Sequence, residues 1–260
     1  MAVFSGIAAG ISVPLAVNRG LGWQGSLSIW WILTFVVICI WLPQLRQHER
    51  KRQEKAGSMR LLLRTPLVWH ITFFMGLQSF FFYTMVAWLP AILQNKGLDP
   101  EQAGYLTFFF QTIAIPASLA VAAFADRMKN QRILVYVTCV FYFSGLLGLL
   151  LLPHGAGLVY SVGALGLASG AAISLALTCI GLRSTNSREA AAMSGLSQAV
   201  GYLLAAISPI LFGALNDWTG SWTLPLCLLF LPLVAWFYTG RYAGGSGVIG
   251  KIGQHENDAA

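Results

Sequence analysis

Charged residues are scarce in this chain of 260 residues, where Asp, Glu, Lys and Arg together account for 10%. A soluble helical protein of this size needs charged faces on most of its helices, so the composition excludes that class. The four cysteines lie in separate apolar stretches without C-x-x-C spacing, which indicates packing residues rather than disulfides or metal ligands. We also find no convergent catalytic groups at membrane depth, so the sequence predicts no enzyme, no cofactor and no metal site.

Apolar residues are correspondingly abundant: the chain is 57% hydrophobic and has a mean hydropathy of +0.68. A helix needs about 20 apolar residues to cross the hydrocarbon of a bilayer, and we count eight stretches of about that length. The sequence therefore predicts an all-α integral membrane protein with about eight transmembrane helices. The stretches are Val3–Val17, Leu27–Leu45, Leu67–Leu93, Ala103–Ala125, Ile133–Leu152, Gly157–Leu182, Ala190–Leu215 and Trp222–Tyr238.

Basic residues are distributed asymmetrically among the connecting segments. Of the 16 Lys and Arg residues, all but Arg19 and Lys96 fall in alternate segments, which by the positive-inside rule predicts that both termini are cytoplasmic. The net charge of +7 could suggest a nucleic-acid partner. Because the basic residues lie in short loops beside span ends, we instead expect a lipid bilayer as the partner and no nucleic acid.

The segment 46–66 is the longest hydrophilic stretch, and it separates two apolar spans from six. This organisation resembles the major facilitator transporters, in which two six-helix halves are joined by a long basic cytoplasmic loop. The resemblance implies that the chain corresponds to the fifth to twelfth helices of such a transporter. It implies four parts: residues 1–45 as the last two helices of the N-terminal half, 46–66 as the linker, 67–240 as the C-terminal half and 241–260 as a cytoplasmic tail.

Short motifs extend the resemblance over nearly the whole chain. The family's acidic-basic loop motif is similar to Ala125-Asp126-Arg127-Met128-Lys129, which implies a gating role for Asp126 and Arg127. Ala122 and Lys129 replace two glycines of that motif. The chain is also similar to the cyanate and 2-nitroimidazole transporter group. The segments that carry this likeness are Gly76-Leu77-Gln78-Ser79, Trp88-Leu89-Pro90, Ala103-Gly104-Tyr105-Leu106, Met193-Ser194-Gly195-Leu196-Ser197-Gln198 and Gly201-Tyr202.

Polar side chains inside the predicted spans are candidates for a solute-binding cavity, because a polar group in hydrocarbon needs a partner or water. No Asp, Glu, Lys or Arg lies in the middle of a predicted span, so we expect a small solute that is neutral or singly charged. The alternative is that these residues only join helices by hydrogen bonds of about 0.6 kcal/mol each. The candidate substrate-binding set is Gln78, Tyr83, Trp88, Gln111, Gln198 and Tyr202.

The expected function is secondary transport of a small polar solute or anion, of the cyanate or nitroimidazole kind, across the inner (plasma) membrane. Alternating access moves one half of the fold against the other, and the chain has spans for only one complete half. We therefore expect a transporter truncated at its N-terminus, or one that works with the missing N-terminal helices or a partner chain. A non-transporting membrane fragment, a scaffold or a channel subunit is the alternative that the residues leave open.

Overall fold

A computed structural model of the protein describes residues 22–42, 62–125, 127–128, 130–152 and 155–245. The chain divides into two compact units, residues 1–56 and 57–260. The first unit contains one described helix, α1 (Gly22–Trp41). The second contains α2 (Pro66–Asn95), α3 (Pro100–Ala125), α4 (Arg132–Leu151), α5 (Ala156–Arg183), α6 (Ser187–Thr219), α7 (Thr223–Leu228) and α8 (Phe230–Ala243).

Among the described residues of the second unit, six helical segments are long and apolar enough to cross a membrane. Helices α7 and α8 together form one of these segments. The predicted all-α membrane fold is therefore confirmed. The second predicted stretch corresponds to α1, which contains an apolar segment at Trp30–Trp41. The first, Val3–Val17, lies outside the described residues. Helix α8 ends at Ala243, three residues past the predicted boundary at 240.

The last span is divided at Leu229, between α7 and α8. Pro232 is the third residue of α8, and a proline has no N–H to donate to the carbonyl four residues before it. The carbonyl of Leu228 therefore lacks its partner four residues on, which explains why the helix is interrupted at Leu229. Pro116 and Pro209 lie inside α3 and α6 and interrupt their backbone hydrogen bonding in the same way.

Four buried aromatic side chains join α2, α4 and α8. The ring of Trp236 stacks on Phe74 at 4.8 Å and meets the edge of Tyr142 at 5.5 Å, and Tyr142 lies 4.9 Å from Phe81. These distances are in the range that aromatic pairs prefer. The cluster therefore packs α2, α4 and α8 against one another.

Close backbone approach holds α3 against α5. A Cβ atom placed on Gly170 would overlap the carbonyl oxygen of Ala114, and one placed on Gly166 would overlap the backbone of Phe110. Apolar side chains gain little by leaving lipid for one another, so membrane helices associate through tight packing at small residues. Glycine at these two positions is therefore required for the observed distance between the helices.

One of the two basic residues that departed from the charge asymmetry has a structural explanation. The ammonium of Lys96 donates a hydrogen bond of 3.0 Å to the carbonyl of Leu152, at the C-terminal end of α4. A cation is favoured at this negative end of a helix. Partial burial lowers the pKa of Lys96. Lys96 thus joins two loops of the bundle.

The close approach at Gly170 predicts a specific loss of stability. In the Gly170→Ala variant the new methyl group overlaps Ala114, and relieving an overpacked contact costs about 1–3 kcal/mol. The apparent midpoint of thermal unfolding in detergent should therefore fall. Gly181→Ala on the same helix is the matched control, because nothing lies within 4 Å of the added Cβ. Equal midpoints for the two variants would contradict the packing argument.

Candidate functional site

Two tyrosines form an aromatic pair halfway along the spans. Tyr83 of α2 and Tyr202 of α6 have ring centroids 6.3 Å apart and an interplanar angle of 75°. Their side chains are 40% and 49% exposed. The nearest helix end is 12 residues from Tyr83 and 15 from Tyr202, or about 18 to 22 Å at a rise of 1.5 Å per residue. The pair therefore presents polar aromatic groups at mid-depth.

The position of this pair is fixed by a close crossing of α2 and α6. A Cβ atom placed on Gly76 would lie 3.3 Å from the Cα of Gly201, the residue directly before Tyr202. Near the crossing, the hydroxyls of Thr72 and Ser197 lie 3.2 Å apart within hydrogen-bonding distance. Tyr202 is therefore carried on the part of α6 that approaches α2 most closely.

Beyond the crossing, side-chain hydrogen bonds join α6 to α2 at Ser208 and Pro209. The Ser208 hydroxyl lies 3.2 Å from the carbonyl of Phe80, and the indole N–H of Trp88 donates to the carbonyl of Pro209 at 2.8 Å. The Trp88 ring covers Gly213. Trp88, a member of the predicted substrate-binding set, is half-buried in this helix interface, and its N–H is already bonded there.

Gln78 lies inside the bundle. Its side chain is 1% exposed, and its amide nitrogen donates to the hydroxyl of Ser79 at 2.9 Å and contacts the sulfur of Met75 at 3.6 Å. Both contacts are within α2. The structure thus does not bring Gln78 to the exposed face on which Tyr83 and Tyr202 meet.

The other two predicted glutamines are half-buried. Gln198 lies one turn before Tyr202 on α6, and its amide nitrogen donates to the hydroxyl of Ser194 at 2.7 Å. Its side-chain oxygen can still accept a hydrogen bond. Gln111 lies near the middle of α3. Of the predicted set, the structure therefore brings together Tyr83 and Tyr202, with Gln198 one turn away.

A second polar cluster lies at the end of the bundle where α5 and α8 terminate. Arg183 is 5% exposed; its guanidinium donates to the carbonyl of Ala243 at 3.2 Å and to the side-chain oxygen of Gln131. The amide nitrogen of Gln131 donates to the carbonyls of Ala125 and Met128 at 3.0 and 2.8 Å. This cluster ties the end of α8 to the turn that follows α3.

Arg127, one of the two predicted gating residues, belongs to that turn. Arg127 is exposed, and its backbone N–H donates to the carbonyl of Phe124 at 3.1 Å. Asp126 lies outside the described residues. Arg183 follows the predicted stretch that ends at Leu182, and neither Arg183 nor Gln131 was among the predicted site residues. The signal that could have identified Arg183 is its position as the first charged residue after an apolar run that begins at Ala156.

Comparison with known proteins identifies relatives over the whole chain. A family model described as Major Facilitator Superfamily matches residues 1–209. The uncharacterized transporter YycB of Bacillus subtilis is 39% identical over 259 residues, covering 100% of this chain and 64% of the relative. The 2-nitroimidazole transporter of Escherichia coli is 37% identical over 228 residues, covering 87% and 57%.

A third relative, the cyanate transport protein CynX of Escherichia coli, is 24% identical over 234 residues, covering 88% of this chain and 60% of the relative. The chain thus spans about three fifths of the length of the curated relatives it matches.

The Arg183 cluster predicts a loss of stability on substitution. Arg183→Leu leaves the buried acceptors of Gln131 and Ala243 without these donors, and a buried unsatisfied polar group costs about 1–3 kcal/mol. Thermal unfolding in detergent should show a lower midpoint. Arg64→Leu, at an exposed arginine just before α2, is the control and should leave the midpoint unchanged. An unaltered midpoint in Arg183→Leu would contradict the assigned bonds.

Proposed function

The chain belongs to the Major Facilitator Superfamily, and from this premise we propose that it is the transporting part of a secondary transporter that moves a small polar solute by alternating access. Transporters of this fold bind solute near the bilayer midplane, between the two halves. Proteins of this family are not enzymes, and catalytic groups are not part of the proposal.

The observation that carries the proposal is the Tyr83–Tyr202 pair. An exposed polar group at mid-depth is costly in lipid and indicates a water-filled or solute-filled surface. The two hydroxyls lie at that depth on adjacent helices, and Gln198 follows the same face of α6 one turn earlier. These three residues are proposed to contact the solute directly.

The remaining predicted residues receive different proposed roles. Gln111 is proposed to line the cavity from α3, and Trp88 to form its wall where α2 and α6 are fastened. Gln78 supports the surface from inside the bundle, since its amide is buried. Asp126 and Arg127 are proposed as gating residues.

The solute is proposed to be small and polar, and either neutral or a singly charged anion. Two of the relatives are named for 2-nitroimidazole and for cyanate, which are both small polar solutes. This choice is supported by the sequence, which places no Asp, Glu, Lys or Arg in the middle of an apolar stretch. Hydroxyl, amide and aromatic groups are then the available contacts.

The multi-pass membrane protein is proposed to lie in the plasma membrane with both termini cytoplasmic, on the basis of its basic loops. Residues 1–45 would then be the last two helices of the N-terminal half, 46–66 the linker, 67–240 the C-terminal half and 241–260 a tail. The other helices of the N-terminal half are the proposed partner, supplied by a longer form of the chain or by a second chain.

Solute uptake into proteoliposomes tests the proposal. A full-length version, in which the proposed missing helices of the N-terminal half precede this chain, is expected to give saturable uptake of labelled 2-nitroimidazole or labelled cyanate. Gln198→Ala should reduce uptake at subsaturating solute about tenfold, because a lost hydrogen bond of about 1–1.5 kcal/mol corresponds to that factor. Gln78→Ala should also impair uptake, by loosening the surface, while membrane insertion stays intact.

Gln94→Ala is the matched control, since Gln94 is exposed near the end of α2. It should transport as well as the unaltered chain. Uptake that rises linearly with solute concentration would favour a channel, and complete absence of uptake would favour a scaffold. Unchanged kinetics in both Gln78→Ala and Gln198→Ala would reject the site assignment.

A further inference from the structure

We propose that Tyr83 and Tyr202 form an aromatic clamp that selects flat aromatic or heteroaromatic solutes, carrying a polar group in the ring plane, over linear anions. This inference rests on the proposed function for the location of the site and names its solute class. Three features carry it: the depth of the two rings, their mutual geometry and the rigidity of the helix crossing beneath them.

The depth of the pair separates it from the other exposed tyrosines. Tyrosine is common at membrane interfaces, where its ring lies in the headgroup region and its hydroxyl reaches water. Five of the seven exposed tyrosines follow that pattern, because each lies within five residues of the end of its helix. They are Tyr105, Tyr136, Tyr160, Tyr238 and Tyr242. Tyr83 and Tyr202 depart from it, since both are exposed at mid-depth and touch each other.

Burial separates the pair from the one remaining tyrosine. Tyr142 also lies at mid-span, but it is fully buried, and its hydroxyl lies 3.5 Å from the hydroxyl of Ser169. Neither Tyr83 nor Tyr202 hydrogen-bonds through its hydroxyl to another residue in the part of the chain that the structure describes. Their hydroxyls are thus placed to meet a molecule other than the bundle itself.

The geometry of the two rings suits a third ring. They meet edge to face at an angle of 75°, and Phe82 meets Tyr83 at 82° with centroids 5.4 Å apart. The exposed surface of such a pair offers one ring face and one ring edge. A flat aromatic solute can stack on the face of one tyrosine ring while the edge of the other tyrosine points at the face of the solute. Stacked and edge-to-face contacts are the two arrangements that aromatic pairs prefer. A linear triatomic anion has no ring to place there.

The clamp is held in position before solute arrives. Gly201 precedes Tyr202 and contacts the backbone of Gly76, and the amide of Gln198 is oriented by its bond to Ser194. Rigid placement of the binding groups lowers the entropy cost of binding. The tyrosine hydroxyls can donate to a nitro or carboxylate oxygen in the ring plane, and the Gln198 oxygen can accept from a ring N–H.

Equilibrium binding to the purified 260-residue chain in proteoliposomes tests the clamp. The probes are labelled 2-nitroimidazole as the flat ring and labelled cyanate as the linear anion. Tyr202→Leu and Tyr83→Leu remove one ring each and should weaken 2-nitroimidazole binding about tenfold, the factor for a lost aromatic contact near the upper end of its measured range. Tyr202→Phe keeps the ring and should retain most of that affinity. Cyanate binding should change little in any of these variants.

Tyr105→Leu is the control, since it removes an exposed tyrosine near a span end and should bind both probes like the unaltered chain. A thermal unfolding midpoint for each variant identifies a misfolded one, and Tyr83→Leu and Tyr202→Leu serve as independent tests of the same clamp. Equal weakening of both probes, unchanged 2-nitroimidazole binding, or no binding of 2-nitroimidazole by the unaltered chain would overturn the clamp.

Comparing the binding and uptake assays distinguishes failure of the clamp from failure of the proposed transport function. Saturable cyanate uptake together with 2-nitroimidazole binding that ignores the tyrosines would reject the clamp and leave transport standing. Tyrosine-dependent 2-nitroimidazole binding without any uptake would support the clamp and reject transport by this chain.

Discussion

The bundle depends on how closely its backbones can approach, because lipid removes the hydrophobic gain that assembles a soluble core. Glycines supply that approach at two crossings: Gly166 and Gly170 of α5 against α3, and Gly76 against Gly201 between α2 and α6. The second crossing also determines where the exposed aromatic surface lies, since Tyr202 follows Gly201 directly. The packing constraint and the candidate site therefore share the same few residues.

Side-chain hydrogen bonds between α2 and α6 lie beside a proline that interrupts the backbone hydrogen bonding of α6. Pro209 removes one backbone donor from α6, yet Trp88 and Ser208 hold α6 against α2 at this position. Hydrogen bonds between the two helices therefore restrain α6 where its own backbone hydrogen bonding is interrupted.

The fold was largely predictable from the sequence, and the site only in part. Span positions follow from the length of apolar runs, which can be read directly from the order of the residues, and the described helices differ from the predicted stretches mainly at their ends. Run length did not distinguish Gln78 from Tyr83, because both side chains carry a hydrogen-bonding group and lie in one span. Their different exposure depends on which face of α2 packs against the other helices. Arg183 was not predicted as a buried residue for a related reason. A cation at the end of a span is typical of a loop, and only the structure shows the acceptors that Arg183 contacts.

The Arg183 cluster has a consequence for how the chain is made. Its donors belong to residues near the start of α4 and the end of α5, whereas one of its acceptors is the carbonyl of Ala243, at the end of α8. Because Arg183 precedes Ala243 by 60 residues, this bond can form only after α8 has been synthesised. Until then the guanidinium needs other acceptors, such as water or lipid headgroups, because an uncompensated charge is costly in hydrocarbon.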